Sequence, residues 1–112
     1  MPKKKKSFKL PKLGTPLERT VERAFVRKVE ALGCRTRKMN GLGNADWPDR
    51  MIIGPIGTEK KMAFAEIKRI GEVPTISQDY CMQDLKRRGF DVTWGDDAQV
   101  LADWIKSIFK LR

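Results

Sequence analysis

The chain has 112 residues, with 24 lysines and arginines against 14 acidic residues and no histidine, so its formal net charge is +10. The lack of histidine excludes Ser-His-Asp and Cys-His nucleophile pairs, histidine-containing metal fingers and nucleases with an imidazole base. Any catalysis must therefore use carboxylates and lysines. No apolar run is long enough to cross a bilayer, so we expect a soluble, intracellular protein without a membrane partner.

The positive charge is concentrated at one end of the chain. Residues 1–12 contain six lysines and no acid, whereas the other 100 residues carry a net charge of only +4. Such a segment cannot bury enough apolar surface to order itself, so we predict a flexible basic arm over residues 1–14 and a single domain over residues 15–112. The arm either binds phosphates without sequence preference or acts as a solubilising tail. Its candidate phosphate ligands are Lys3, Lys4, Lys5 and Lys6.

A first helix is predicted from Thr15, which can cap it, to about Leu32. Gly33 then ends the helix. At about 100° per residue, Glu18 projects to within about 20° of the centre of the apolar stripe, whereas Glu22 lies nearer its border. A carboxylate there is costly unless it is paired or bound to a metal, although a first-turn acid is also favoured by the helix dipole. The apolar stripe consists of Val21, Phe25, Val29 and Leu32.

Three strands are predicted next, over residues 34–39, 49–53 and 62–68. Because side chains alternate along a strand, Phe64, Glu66 and Lys68 share one face of the third strand. Asp49 stands at the entrance of the second strand. It can meet Glu66 only if the register of the two strands brings them together, and the sequence leaves that register open.

The rest of the chain predicts a helix over residues 77–88, a strand over residues 90–94 and a helix over residues 98–110. The order of elements is therefore αβββαβα, which indicates a mixed α/β (α+β) fold. The apolar face of the last helix is expected to pack in the core.

Three residues could carry phosphodiester chemistry. Two carboxylates on adjacent strands, Asp49 and Glu66, can hold Mg²⁺ or Mn²⁺, and Lys68 can orient or activate a water molecule. Taken alone the pattern is weak, since a Glu-Lys pair on a solvated strand edge would look the same.

The wider pattern is more specific. It consists of the helix with Glu18, the glycine that ends it, Lys38, the run 48–50 (Pro-Asp-Arg), the strand 64–68 and Ser77-Gln78 at the start of the next helix. In order and spacing this set resembles the VRR-NUC family of the PD-(D/E)xK nuclease superfamily, in particular its small stand-alone members, found mainly in phages. The resemblance covers about residues 18–105 and implies an αβββαβ nuclease core with a C-terminal helix.

The resemblance also implies metal ligands. Asp49, Glu66 and the backbone carbonyl of Ile67 would bind Mg²⁺ or Mn²⁺, and Lys68 would contact the attacking water. Glu18 looks like the family's helical glutamate, which reaches the metal site through water or a second ion.

Further positions are implied outside this group. Gln78 is similar to the family's helix-start glutamine, which supports the active site and its lysine. Lys38 matches a basic position that can face phosphate, although a plain surface lysine is the alternative, and Arg50 is a second candidate DNA contact. Asp46 departs from the family pattern, which usually has glycine there. Trp47 is expected to pack beside the site rather than stack on a base, although stacking is conceivable.

The function that the resemblance implies is a metal-dependent, structure-selective DNA endonuclease in the cytoplasm of a phage-infected or bacterial cell. We expect a homodimer that cuts four-way (Holliday) junctions, because a symmetric junction needs paired sites. The alternatives are a nicking or flap-directed nuclease with the same site, and a non-catalytic module that binds nucleic acid through its basic arm.

Overall fold

The computed structural model describes residues 17–39 and 46–112. The basic arm, the predicted helix cap at Thr15 and the Gly/Asn-rich loop at residues 40–44 lie outside this part of the chain. Three helices and four strands follow in the predicted αβββαβα order. They are α1 (Glu18–Ala31), β1 (Arg35–Lys38), β2 (Arg50–Ile53), β3 (Met62–Ile67), α2 (Ile76–Arg87), β4 (Asp91–Gly95) and α3 (Ala98–Ile108).

The four strands form one sheet in the order β1-β2-β3-β4. β2 pairs antiparallel with both β1 and β3, whereas β4 pairs parallel with β3. In the β2–β3 ladder Arg50 lies opposite Ala65. One step further along this register, Asp49 stands opposite Glu66. The register that the sequence left open therefore brings the two carboxylates together.

The sheet separates two apolar clusters. Alternate residues of β3 enter each cluster, so that Ala65 packs under α1 and α3 whereas Phe64 packs under α2. Because side chains alternate along the strand, Glu66 and Lys68 lie on the face that carries α2. The predicted sharing of one face by Phe64, Glu66 and Lys68 agrees with the packing of Phe64 against α2 and with the 3.4 Å distance between Lys68 Nζ and Glu66 Oε2. No helix of the described residues is both long and apolar enough to span a membrane.

The start of α1 differs from the prediction. Leu17 is the residue before the helix, in extended conformation, and its carbonyl oxygen accepts hydrogen bonds from the backbone N–H groups of Thr20 and Val21. The helix therefore begins at Glu18. At its other end Gly33 has a φ of +92°, a conformation that glycine adopts without strain.

The two glutamates of α1 are also placed differently from the expectation. Glu22, expected at the border of the apolar stripe, is 6% exposed, whereas Glu18, expected near its centre, is exposed. The prediction was wrong because Glu22 has basic partners from the sheet, which make its burial tolerable.

Candidate active site

Asp49 and Glu66 form the centre of the candidate site. Asp49 directly precedes β2 and Glu66 lies near the end of β3, so the antiparallel pairing places both at the same end of the sheet. The backbone N–H of Ile67 donates a 2.8 Å hydrogen bond to Oδ2 of Asp49. This bond fixes the Asp49 carboxylate against the end of β3, next to Glu66.

Lys68 is the cation of the site. Its Nζ lies 3.4 Å from Oε2 of Glu66, and both side chains are almost completely buried. The backbone N–H of Lys68 donates a 2.8 Å hydrogen bond to the carbonyl of Gly95, which ties this segment to β4. The other carboxylate oxygen of Glu66, Oε1, is buried without a hydrogen-bond partner in the described part of the chain.

The carboxylates of the site bind protons more tightly than ordinary acids do. Burial raises the pKa of Glu66 to about 7, the charge of Asp49 adds to this shift and the charge of Lys68 opposes it. Burial likewise raises the pKa of Asp49, against the effect of the Ile67 hydrogen bond. Burial and then the charge of Asp49 raise the pKa of Glu18. Loss of hydration is therefore the main reason that these carboxyl groups resist ionisation, and repulsion between them adds to it.

These residues fit a hard divalent cation. Mg²⁺ and Mn²⁺ prefer oxygen ligands, and a bound cation would satisfy the orphaned oxygen of Glu66 and offset the repulsion between the carboxylates. Within residues 17–39 and 46–112, no three Asp, Glu or Cys side chains form a ready metal cage. The two carboxylates would need further ligands to complete the coordination, for which the family resemblance implies the Ile67 carbonyl, water molecules and an indirect contribution from Glu18.

Comparison with solved structures identifies this fold. One match is described as a VRR_NUC domain, with a TM-score of 0.67 and 26% sequence identity over 80% of this chain and 94% of that one. The chain has a VRR-NUC fold. The match supports the VRR-NUC family and indicates a nuclease of the PD-(D/E)xK type, a type that is generally metal-dependent. No protein-family model and no curated protein matches the chain.

Gln78 takes part in the N-terminal cap of α2. Its Oε1 accepts a 2.9 Å hydrogen bond from the backbone N–H of Thr75, and its own backbone N–H donates to the Thr75 hydroxyl at 3.1 Å. Its predicted support of Lys68 stays a prediction, because the described residues show no hydrogen bond between the two side chains. The sequence signal for this capping box is Thr-x-x-Gln, which places the start of α2 at Ile76, one residue before the predicted start.

The two basic residues predicted to face DNA lie on the other face of the sheet. Lys38 and Arg50 are cross-strand partners in β1 and β2. Arg50 Nε donates a 2.7 Å hydrogen bond to Glu22 Oε2, and Lys38 Nζ lies 3.4 Å from Glu22 Oε1. Half of the Lys38 side chain is exposed, so it can still meet a ligand. Sequence reasoning did not find the role of Glu22.

Trp47 belongs to the apolar surroundings of the candidate site. The ring of Trp47 contacts Phe64 edge-on, with centroids 6.3 Å apart, on the same face as Glu66. About a third of Trp47 remains exposed. This contact favours the packing role over base stacking. Asp46 is exposed.

Proposed function

We propose that this protein is a metal-dependent, structure-selective DNA endonuclease that acts as a homodimer on four-way junctions. The observation that carries the proposal is the register of β2 and β3, which sets Asp49 opposite Glu66, with Lys68 at 3.4 Å from Glu66 and one oxygen of Glu66 unpartnered. Two adjacent carboxylates and one buried lysine are the groups that such hydrolysis requires in a protein without histidine.

Each residue has a proposed task. Asp49, Glu66 and the Ile67 carbonyl hold Mg²⁺ or Mn²⁺, which when bound polarises the scissile phosphate and lowers the pKa of a water molecule. The Ile67 N–H keeps Asp49 oriented. Lys68, held beside Glu66, positions the attacking water and offsets charge that develops on the phosphate. Glu18 contributes through water or a second ion.

The proposed substrate follows from what the domain offers. A nuclease domain of this size has little surface with which to read base sequence, so the geometry of the phosphate backbone is the more accessible signal. A homodimer would present two sites to opposed strands of a junction. The lysines of the arm, residues 1–14, are proposed to add phosphate contacts that do not depend on sequence.

The decisive experiment is cleavage of a panel of four-way, flap, nicked and linear duplex DNA with Mg²⁺, with Mn²⁺ and with EDTA. We expect metal-dependent cuts placed symmetrically in the junction. Asp49→Asn should lose cleavage by about a thousandfold or more while it still binds the junction, because a loss of about 4 kcal/mol of transition-state stabilisation has that effect. Asp103→Asn, an exposed acid on α3, is the matched control and should cut normally.

The outcomes separate the alternatives. Preferential cutting of flaps or nicked duplexes would replace the junction by another substrate of the same site. Binding without cutting by the unaltered protein, with either metal, would leave only a nucleic-acid-binding module and would end the nuclease proposal.

The dimer has structural support in an exposed apolar patch. Ile76 and Tyr80 lie one turn apart on α2 and are 77% and 69% exposed, and Val73 is half exposed beside them in sequence. Large apolar side chains grouped in this way are typical of association surfaces. A second copy of the chain is the proposed occupant, since two sites are needed for a symmetric junction.

Substitution of this patch should give a monomer. We expect Ile76→Ser/Tyr80→Ser to halve the mass measured by sedimentation equilibrium and to convert paired junction cuts into single nicks. Val100→Ser, a 63% exposed position on α3, is the control and should stay dimeric. An unaltered dimer in the double variant would show that α2 is not the interface.

A further inference from the structure

A basic cleft lies beside α1 on the face of the sheet away from the carboxylates. It encloses about 390 Å³ between the helix and the ends of β1 and β2. Its lining consists of Arg19, Glu22, Arg23, Val26, Arg27, Lys38 and Arg50. The cleft therefore combines five basic side chains with a single carboxylate.

Glu22, the carboxylate of the cleft, is already paired with two basic side chains of the cleft. Glu22 pairs with Arg50 at 2.7 Å and with Lys38 at 3.4 Å, which holds both cations at the cleft wall. None of the three α1 arginines forms an ion pair with any residue between 17 and 39 or between 46 and 112. A concave surface with this excess of guanidinium groups attracts an anion with several charges.

The spacing of the arginines suits an extended anion. Arg19, Arg23 and Arg27 follow one another at intervals of four residues, so they form a row about 12 Å long on one side of α1. Measured along the axis of a DNA duplex, that length covers about three to four steps between successive phosphates of one strand, each of which rises by about 3.4 Å. Within residues 17–39 and 46–112, the side chains that line the cleft include no aromatic ring on which a base could stack.

The cleft also adjoins the candidate active site. Arg19 follows Glu18 in α1, and Arg50 follows Asp49 at the start of β2. The backbone N–H of Met39, the residue after Lys38, donates a 2.7 Å hydrogen bond to the backbone carbonyl of Asp49, so the end of β1 lies beside Asp49. A strand that lies in the cleft would therefore continue past the end of the sheet toward the carboxylates.

We propose that this cleft binds the phosphate backbone of DNA next to the cut, with Arg19, Arg23 and Arg27 as its phosphate ligands and Glu22 as the residue that positions Arg50 and Lys38. The inference rests on the proposed nuclease function, for which it names the surface that holds the substrate. Because it uses phosphates alone, the cleft binds duplex DNA without base preference.

The test is DNA binding by Arg23→Gln/Arg27→Gln, made in the non-cutting Asp49→Asn background. We expect affinity for a junction, and for its duplex arm alone, to fall at least tenfold at 100 mM salt. The slope of log affinity against log salt should become shallower by about 1.8, since each lost phosphate contact removes about 0.9. Both arginines are exposed, so the thermal midpoint should change little.

The matched control is Arg87→Gln/Arg88→Gln, which removes the same charge from the last residue of α2 and its C-cap, on the opposite face of the sheet. Its affinity for DNA should stay within twofold of the parent, and its slope of log affinity against log salt should stay within about 0.5 of the parent value. Equal losses in both variants would mean a general effect of net charge and would overturn the cleft.

Failure of the cleft and failure of the nuclease are distinguishable. With Asp49 intact, Arg23→Gln/Arg27→Gln should cut DNA poorly but hydrolyse bis(p-nitrophenyl) phosphate, a substrate too small to reach the cleft, at the normal rate. If the unaltered protein cuts DNA and this variant cuts it equally well, the cleft is excluded. If the unaltered protein hydrolyses nothing, but Arg23→Gln/Arg27→Gln still lowers the affinity for DNA, the proposed DNA-binding cleft is supported and the proposed nuclease activity is excluded.

Discussion

Glu66→Gln is expected to abolish DNA cleavage and, without metal, to make the protein more stable at pH 8. The two effects share one cause. Glu66 is 2% exposed, faces Asp49 and has one oxygen without a partner, so its charge is costly in the folded protein until a cation binds. Glutamine keeps the shape and removes the charge. Cleavage should fall by about a thousandfold or more, because a metal ligand is lost.

The stability effect depends on pH with a definite sign. Burial raises the pKa of Glu66 from 4.5 to about 7, so between these values the folded protein binds more protons than the unfolded chain. The free energy of unfolding therefore decreases as pH rises through this window. At pH 8, Glu66→Gln should be the more stable form in EDTA by as much as about 3 kcal/mol. Below pH 4.5 the two proteins should be nearly equal.

Divalent metal should reverse the order of stability. At 1,000 times its dissociation constant, a bound ion adds about 4.1 kcal/mol to the parent, which exceeds the advantage of about 3 kcal/mol that Glu66→Gln has in EDTA, and Glu66→Gln should gain far less. Urea unfolding at pH 5, 6, 7 and 8, with EDTA and with Mn²⁺, measures both effects. Glu30→Gln, an exposed acid of α1, is the control and should follow the parent. A parent whose stability is flat from pH 5 to 8 would show that Glu66 has no raised pKa.

The pattern along β3 shows how much the sequence can predict. Alternation of side chains correctly placed Glu66 and Lys68 on one face with Phe64, because the period of a strand is fixed by its geometry. The order of the seven elements could be predicted for a similar reason, since glycines such as Gly33 and the apolar periodicity are local signals. The predicted boundaries differ from the observed ones by at most three residues, close to the usual uncertainty of element ends.

The parts that could not be predicted depend on contacts between distant residues. The meeting of Asp49 and Glu66 depends on the β2–β3 register, which a shift of one residue would destroy without changing any local pattern. The burial of Glu22 depends on Arg50 and Lys38, which lie 28 and 16 residues away in sequence. A helical projection contains neither partner, so it placed the wrong glutamate toward the core.

Glu22→Gln is expected to lower the free energy of unfolding by about 2 kcal/mol. Glu22 is buried, and only 17% of the Arg50 side chain is exposed. Loss of the carboxylate charge therefore leaves Arg50 with an unpaired, largely buried guanidinium group. The same change removes the carboxylate charge that holds Lys38 at the wall of the basic cleft. The salt dependence of DNA binding should therefore also change. Urea unfolding at pH 7 measures the stability.

A double-mutant cycle separates the pair from its neighbours. Glu22→Gln, Arg50→Gln and the double variant should give a coupling energy of about 1–3 kcal/mol. The matching cycle on Lys60 and Asp91, an ion pair of 2.8 Å in which half of the lysine is exposed, should give less than about 1 kcal/mol. Equal coupling in the two cycles would contradict a special role for Glu22. A larger coupling at Glu22 would show that this one buried carboxylate holds Arg50 in place at the wall of the basic cleft. Because Arg50 directly follows Asp49 in the chain, any shift of the Arg50 backbone would also move the Asp49 carboxylate.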